Sequence, residues 1–373
     1  MINLQINRAL LSGIDRKLMV YTFLLLLVGI LVLYSATQTQ TSENLHGHFK
    51  KQCIWVLITS LALLVSMAIP YTDWERYAYV AYAGSLLLLI LLPWLPSVHE
   101  AGGASRWLRL GPASLQPSEV AKICLILGLA RALDLPEEKK GSWRMCAIAV
   151  GITLAPMALV LKQPDLGTAL CFCAPLAGML WANGAKVKHF LALGSSAILS
   201  VPLAYFLVLK DYQRSRILTF LFPSRDPLGS GWNVLQSKIA IGSGGLWGKG
   251  WLANTQGQLQ FLPRHHTDFI FSVLAEEQGF VGTLLVLVLL WLWTSRCLGR
   301  SKDGRDTFGR LLVVGIASLF AFQSLVNVLM TTGLLPCTGL PLPFFSYGGS
   351  NLLMVMWGVG MIQNVYMRRY MFT

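Results

Sequence analysis

The stretch Phe261-Leu-Pro-Arg-His-His-Thr-Asp-Phe-Ile-Phe-Ser-Val-Leu-Ala-Glu-Glu-Gln-Gly-Phe280 decides how this 373-residue chain is read. It opens an apolar segment that continues through Leu284–Trp293. The apolar part beyond Glu277 is shorter than the roughly 20 residues a spanning helix needs. The span is therefore expected to begin near Thr267 and to carry Asp268, Glu276 and Glu277 into a membrane or its boundary. A carboxylate at the centre of a spanning helix costs about 2.5–3.5 kcal/mol on insertion scales, so such residues face a cavity or a partner. The competing account is an acidic cluster solvated at the interface. Asp268 is the candidate working residue.

Composition agrees with a membrane setting. Charged residues make up 13% of the chain, against about 25% in soluble domains, and the mean hydropathy is +0.57. The net charge of +13 is scattered between apolar runs, with no basic helix or zinc pattern that would read bases, so nucleic acid is not an expected partner. Membrane surfaces and anionic headgroups are. The seven cysteines lie mostly in apolar runs, and Cys171-Phe-Cys173 has neither redox nor zinc spacing. Arg16 and Lys17 precede an apolar run to Tyr34 without a convincing cleavage site, which reads as a first spanning helix rather than a signal peptide.

Apolar runs recur along the whole chain as one polytopic unit, residues 1–373. Ten spans are expected, near 18–35, 53–69, 77–95, 118–133, 145–161, 166–183, 189–209, 267–293, 311–333 and 350–366. All-round apolarity at these lengths means helices, because lipid offers no partner to open backbone groups. The fold class is all-α and integral to the membrane. Lys and Arg of the short loops favour the side of the two termini, which places both ends in the cytoplasm. A long segment between the seventh and eighth spans, 210–266, then lies outside. It holds Lys210, Arg214, Arg216, Arg225, Lys238, Lys249 and Arg264 against Asp211 and Asp226. Within it, 217–222 and 232–241 carry apolar residues at helical spacing and read as short interfacial helices. A basic funnel above Asp268 suits an anionic substrate.

Smaller motifs gather on the same side. Gly242-Ser-Gly-Gly-Leu-Trp-Gly-Lys-Gly250 is either a tight turn or a backbone cradle for phosphate or sugar, but it is not a P-loop. Gln163-Pro-Asp-Leu-Gly-Thr168 reads as a helix start, with Gln163 as cap, Pro164 in the first turn and Asp165 complementing the dipole. Gln116-Pro-Ser-Glu119 has the same form, and Glu119 and Lys122 are i,i+3 neighbours able to pair. The stretch from Gly339 to Ser350, rich in proline and glycine, reads as a structured loop or a half-buried re-entrant turn supplying the hydroxyls of Ser346, Tyr347 and Ser350. A serine nucleophile lacks its elbow and orienting acid, and the adjacent His265 and His266 do not share a helical face as metal ligands would.

Taken together, Ser105-Arg-Trp-Leu108, Gln116-Pro-Ser-Glu119 with Lys122, Gln163 to Thr168, Asp211-Tyr-Gln-Arg-Ser-Arg216, Asp226-Pro-Leu-Gly229, Gln236-Ser-Lys-Ile-Ala-Ile-Gly-Ser-Gly-Gly245, His266-Thr-Asp-Phe-Ile-Phe271 and Pro341 to Ser350 resemble the SEDS family of shape, elongation, division and sporulation proteins. The motifs run in family order from about Arg106 to the end, while the N-terminal third matches in hydropathy alone. The wording of 236–245 is nearer the elongation branch, RodA, than the division branch, FtsW.

The resemblance implies a peptidoglycan glycosyltransferase of the bacterial cytoplasmic (inner) membrane, with its active face outside. It would polymerise lipid II during cell-wall elongation, inverting the donor anomer, with Asp268 as general base. It implies substrate contacts at Arg106, Glu119, Lys122, Asp165, Arg214, Arg216, Lys238, Lys249, His266, Thr267, Ser346 and Ser350. No permanently bound cofactor is implied; a divalent cation, Mg or Mn, arriving with the pyrophosphate is left open. The implied partners are a class B penicillin-binding transpeptidase and other membrane proteins of the elongation complex. The alternatives are a lipid II flippase and a division-specific polymerase.

One position departs from the family, which usually has Glu where Arg264 stands. A base four residues from Asp268 is expected to attract anions and to favour the ionised carboxylate. Exchanging Arg264→Glu should raise the KM for the anionic substrate and move the acid limb of the pH–activity profile upward. An unchanged substrate dependence together with an unchanged profile would remove that role.

Overall fold

A computed structural model describes residues 13–38, 43–95, 98–100, 105–110, 113–207, 214, 218–220, 230–259, 261–263 and 265–369. In chain order the helices are α1 (Arg16–Thr37), α2 (Glu43–Ala68), α3 (Tyr71–Leu91), α4 (Pro117–Ala132), α5 (Trp143–Lys162), α6 (Leu166–Cys171), α7 (Cys173–Ala182) and α8 (Val187–Leu207). They continue as α9 (Ser230–Ser243), α10 (Thr255–Gln258), α11 (Ile270–Ser301), α12 (Thr307–Thr331) and α13 (Gly349–Met367). Each of the ten expected spans coincides with one of these helices or a helix pair.

Among the described residues, six helices are long and apolar enough to cross a membrane: Arg16–Thr37, Gly47–Ala68, Tyr71–Trp94, Trp143–Lys162, Ile270–Ser301 and Thr307–Thr331. The chain is a multi-pass membrane protein. Two of the other expected spans differ for identifiable reasons. The segment 166–183 is broken at Phe172, which ends α6 and starts α7. Helix α4 has buried residues on nearly every side, because α3, α5 and α12 pack around it. It is an interior helix, and Glu119 and Lys122 ride in it without meeting lipid.

Between α3 and α4 the chain forms a small antiparallel sheet, β1 (Val98–Glu100), β2 (Ser105–Leu110) and β3 (Ala113–Leu115), in the order β1-β2-β3. Its register pairs Leu108 with Leu115 and Leu110 with Ala113. Of the two interfacial helices expected in the long segment, 232–241 lies within α9. The other falls largely outside the described residues.

The main packing pairs are α13 on α2, α3 on α4, and α11 on both α12 and α1. Helix α11 carries the largest departure from regular geometry. Gly279 sits at φ 64°, ψ −165° and kinks it, so the acid-bearing residues 270–278 form a separate turn-and-helix ahead of the apolar remainder. The kink frees carbonyls and amides that the glycine-rich stretch takes up. Lys249 N and Gly250 N donate to the carbonyls of Glu276 and Glu277 at 3.0 Å each, while Phe280 N and Val281 N donate to Gly245 O and Leu246 O at 2.9 and 3.1 Å. A Cβ on Gly244, Gly248 or Gly279 would collide with the opposing backbone. The stretch 242–250 is thus a joint that completes the hydrogen bonds of a broken helix. The Lys249 and Gly250 amides face protein carbonyls rather than a phosphate.

At the far end of α1, a polar cluster locks three helices. Asp15 caps α1 by accepting from Leu18 N at 3.2 Å. It receives Arg296 Nε at 2.8 Å, Arg296 Nη2 at 3.1 Å and Arg300 Nε at 2.7 Å. Gln363 of α13 holds its backbone from both sides, donating to Asp15 O at 3.0 Å and accepting from Asp15 N at 3.1 Å. Burial works against the Asp15 charge, but the two guanidinium groups and the Leu18 amide outweigh it and hold the carboxyl below its ordinary value of 3.8. A depressed carboxyl contributes stability above the unfolded value and loses it as pH falls through the folded one. Asp15→Asn should lower the thermal stability of the detergent-solubilised protein by about 3 kcal/mol at pH 7, near the lower end for a broken buried pair. The gap from wild type should narrow as the pH drops below 3.8.

Candidate active site

Asp268 lies in the turn immediately before α11 and is half-buried. Four consecutive residues of this turn are fastened to three different elements. His265 is buried, with Nδ1 2.9 Å from Leu262 O and Nε2 2.9 Å from Ala36 O at the end of α1. His266 O accepts from Tyr347 N at 3.0 Å. Thr267 O accepts from Ser346 Oγ at 2.7 Å, and that hydroxyl accepts in turn from Leu342 N at 2.8 Å. Asp268 O accepts from Asn327 Nδ2 at 2.9 Å, and the same amide donates to Leu340 O at 2.7 Å. The carbonyls of His266, Thr267 and Asp268 thus each have a donor, as buried backbone requires.

The proline-rich loop therefore backs the turn, and Gly339 stands behind the carboxylate. A Cβ on Gly339 would lie 3.5 Å from Asp268 Oδ2. An aromatic cluster closes another side. The His266 ring stacks on His48 of α2, with centroids 5.1 Å apart, and His48 meets Tyr347 edge-on at 4.7 Å. Burial raises the Tyr347 phenol above its ordinary value, so it stays neutral beside the turn.

The remaining candidates fall into two groups by what they touch. Some are committed to the scaffold. Arg106 on β2 donates to Gln163 O at 2.7 Å and to Pro164 O, and lies 3.7 Å from Asp165 Oδ2. Asp165, rather than Gln163, is the residue that caps α6, accepting from Thr168 N at 3.1 Å; its other oxygen accepts from Gln116 Nε2 at 3.2 Å. Gln163 instead ends α5, and Pro164 precedes the cap rather than entering the first turn. Ser350 donates to Ser114 O at 2.9 Å and accepts from Gln116 N at 3.2 Å, tying the sheet to α13. Glu119 and Lys122 pair at 2.7 Å, both buried. Lys249 pairs with Glu276 at 2.5 Å and donates to Thr255 Oγ1 at 2.8 Å. Arg214 donates to Tyr205 O and Phe206 O at 2.8 and 2.9 Å, at the end of α8.

The second group is exposed. Lys238 of α9 is exposed. Arg216 and Arg264 lie outside the described residues. The segment 165–168 joins the Asp268 turn through the proline-rich loop, since Gly167 abuts Thr338 O and Leu340. The structure thus brings Asp268, His266, Thr267, Ser346 and, at one remove, Asp165 and Arg106 into one neighbourhood. Among the described residues no group of three or more His, Cys, Asp or Glu is arranged to hold a metal ion.

Three contributors were not singled out from the sequence. Asn327 is a fully buried amide in a mostly apolar span that also buries Gln323, and the rarity of such residues was its available signal. His48 belongs to the N-terminal part that matched in hydropathy alone. Asn254 donates to Glu277 Oε1 at 2.7 Å, where the Ser35 hydroxyl also donates, which fixes α11 to the end of α1.

Known proteins resemble the chain over nearly its whole length. The family model described as "Cell cycle protein", FTSW_RODA_SPOVE, matches residues 16–371. A probable peptidoglycan glycosyltransferase FtsW of Trichlorobacter lovleyi is 38% identical over 365 residues, covering 95% of this chain and 93% of its own. The peptidoglycan glycosyltransferase MrdB of Escherichia coli K12 is 38% identical over 356 residues, covering 94% of each. Among solved structures, a chain of a peptidoglycan synthase complex that coordinates polymerization and crosslinking superposes with a TM-score of 0.81 at 31% identity, over 96% of this chain and 98% of that one. The crystal structure of Thermus thermophilus RodA superposes at 0.70 and 29% identity over the same shares. The chain belongs to the FtsW/RodA/SpoVE family, the SEDS proteins, whose relatives are named peptidoglycan glycosyltransferases.

Proposed function

We propose that this protein polymerises lipid II into glycan strands, with Asp268 as the general base. The observation that carries the reading is the placement of Asp268, a half-buried carboxylate on a turn held through three main-chain carbonyls and a histidine ring. A sugar hydroxyl is a weak nucleophile, and a positioned carboxylate base contributes about 10²–10⁴-fold. Asp268 takes the proton of the acceptor 4-hydroxyl as that oxygen forms its bond to the donor anomeric carbon. The bond from that carbon to the pyrophosphate oxygen breaks, its electron pair leaves with the polyprenyl pyrophosphate, and the anomeric configuration inverts. A divalent cation arriving with the pyrophosphate would help neutralise it.

The wording of 236–245 favours the elongation branch, although relatives named FtsW and MrdB are equally similar at 38%. The Lys and Arg bias supports a cytoplasmic-membrane protein with both termini inside and Asp268 outside. A class B penicillin-binding transpeptidase is the natural partner, since polymerisation alone leaves cross-linking to another active site. The solved synthase complex, which coordinates polymerization and crosslinking, supports a partner of that activity.

The test is strand formation from purified lipid II, resolved on a gel. Wild type and Asp268→Asn would each be co-purified with the transpeptidase, whose own reaction is blocked by a β-lactam. Polymer from wild type and at least a 100-fold loss in a folded Asp268→Asn is expected. Equal polymer from both would take Asp268 out of the mechanism. Polymer from neither, with lipid II crossing vesicle membranes, would favour a flippase instead.

A further inference from the structure

We propose that Gly29 is a positioning residue for Asp268: its bare backbone sets how deep the proline-rich loop descends, and the loop sets where the Asp268 turn stands. The functional half of this rests on the reading of Asp268 as general base.

Alanine is a better helix former than glycine, so a buried glycine inside the α1 span needs a reason. The reason lies across the packing interface. A Cβ on Gly29 would collide with the carbonyl oxygen of Phe344 and would lie 3.0 Å from Phe345 Cα. Both are main-chain atoms, so no side-chain rotation relieves the clash. Phe344 itself has φ +69°, a conformation strained for any side chain. Its ring meets Trp293 edge-on with centroids 5.5 Å apart, and Trp293 Nε1 donates to Thr22 Oγ1 at 2.9 Å. The strained residue is thus held at its carbonyl and at its ring.

Helix α1 meets this assembly along one stripe. Thr22, Gly29 and Ala36 are spaced by seven residues, two turns of helix, and so share a face. Thr22 holds Trp293, Gly29 receives the loop, and Ala36 O takes the His265 ring at 2.9 Å. Gly29 lies about 10 Å along α1 from Ala36. The loop therefore enters the span as a re-entrant turn, with Leu342, Phe344 and Phe345 buried.

Two residues beyond Phe344 the loop is back at the site. Ser346 Oγ donates to Thr267 O at 2.7 Å, and Tyr347 N donates to His266 O at 3.0 Å. Helix α2 closes the other side, where Gly348 N donates to Gln52 Oε1 at 3.3 Å and a Cβ on Gly349 would collide with the Trp55 ring. A methyl group at Gly29 must then push the loop along its own path, and with it the two bonds that carry Thr267 and His266. Carbon and carbonyl oxygen approach to about 3.3–3.6 Å, which makes the displacement on the order of 1 Å. A misplacement of that size far from the chemistry costs up to about 100-fold in rate.

The experiment compares wild type, Gly29→Ala, Ser346→Ala and the double variant, each full-length and co-purified with the transpeptidase. Gly84→Ala of α3 is the control, because a Cβ there meets nothing within 4 Å. Melting curves confirm folding, amide hydrogen exchange is read over 341–348, and strand formation from lipid II gives kcat and KM. Gly29→Ala is expected to speed exchange over 341–348 about tenfold and to lower kcat about 10- to 100-fold at unchanged KM. It should cost nothing further in the Ser346→Ala background, and Gly84→Ala should change neither readout. Unchanged exchange in a folded Gly29→Ala, or faster exchange at full kcat, overturns the proposal. Equal fractional losses in the wild-type and Ser346→Ala backgrounds overturn it too, and leave Gly29 as a packing residue of α1. Should Gly29→Ala not fold, Phe344→Gly reaches the same seat from the loop side without strain, and wild-type exchange and kcat there would be equally fatal. If wild type forms no strands, the glycosyltransferase reading fails, while exchange over 341–348 still decides whether Gly29 seats the loop.

Discussion

A buried main-chain carbonyl must find a donor, and the turn before α11 leaves three in a row that helix geometry does not serve. Tyr347 N, Ser346 Oγ and Asn327 Nδ2 supply them at 3.0, 2.7 and 2.9 Å. Those donors come from the proline-rich loop and from α12, while the His265 ring reaches the end of α1. Leaving one such group unsatisfied costs about 1–3 kcal/mol, so the turn has few alternatives to the position it holds. The catalytic candidate Asp268 inherits its place from that constraint. The loop from Gly339 to Ser350 serves the site chiefly by supplying the turn with donors and the carboxylate with a glycine wall.

The same accounting explains the kink in α11. Gly279 breaks the helix, and the stretch 242–250 restores the lost bonds across the break. Glu276 and Glu277, which look expensive inside a span, sit ahead of the kink with dedicated partners. Glu276 accepts from Lys249, Thr255 N and Thr255 Oγ1, and Glu277 from Ser35 and Asn254. They hold the part of the long segment around 249–255 against α1 and α11.

Much of this was legible in the sequence because membrane helices are written in plain terms. Length and all-round apolarity located the ten expected spans, and the i,i+3 spacing of Glu119 and Lys122 anticipated their pair. Asp268 stood out because a carboxylate at the head of an apolar run needs a reason. What was hidden depends on contacts distant in sequence. The glycine-rich stretch left two roles open, since nothing local shows that the Gly279 kink needs its amides. Lys249 looked available because its partner Glu276 is 27 positions away. The small sheet at 98–115 escaped a reading built on apolar spans, and α4 read as one more span, although its buried Glu119 and Lys122 suit an interior helix rather than a lipid-facing one. Asn327 could have been found, with Gln323, as one of two buried amides in an apolar helix, although its task could not.

The central claim is that this scaffold acts through Asp268, and a double-mutant cycle on the polymerisation rate tests it most directly. Single-turnover rates would be measured for wild type, Asn327→Leu, Asp268→Asn and the double variant, since residues acting as one unit are non-additive. The account predicts that Asn327→Leu slows wild type by at least tenfold but leaves the residual rate of Asp268→Asn unchanged. Equal fractional losses in both backgrounds would contradict it, and would mean that Asn327 supports the fold without serving the base.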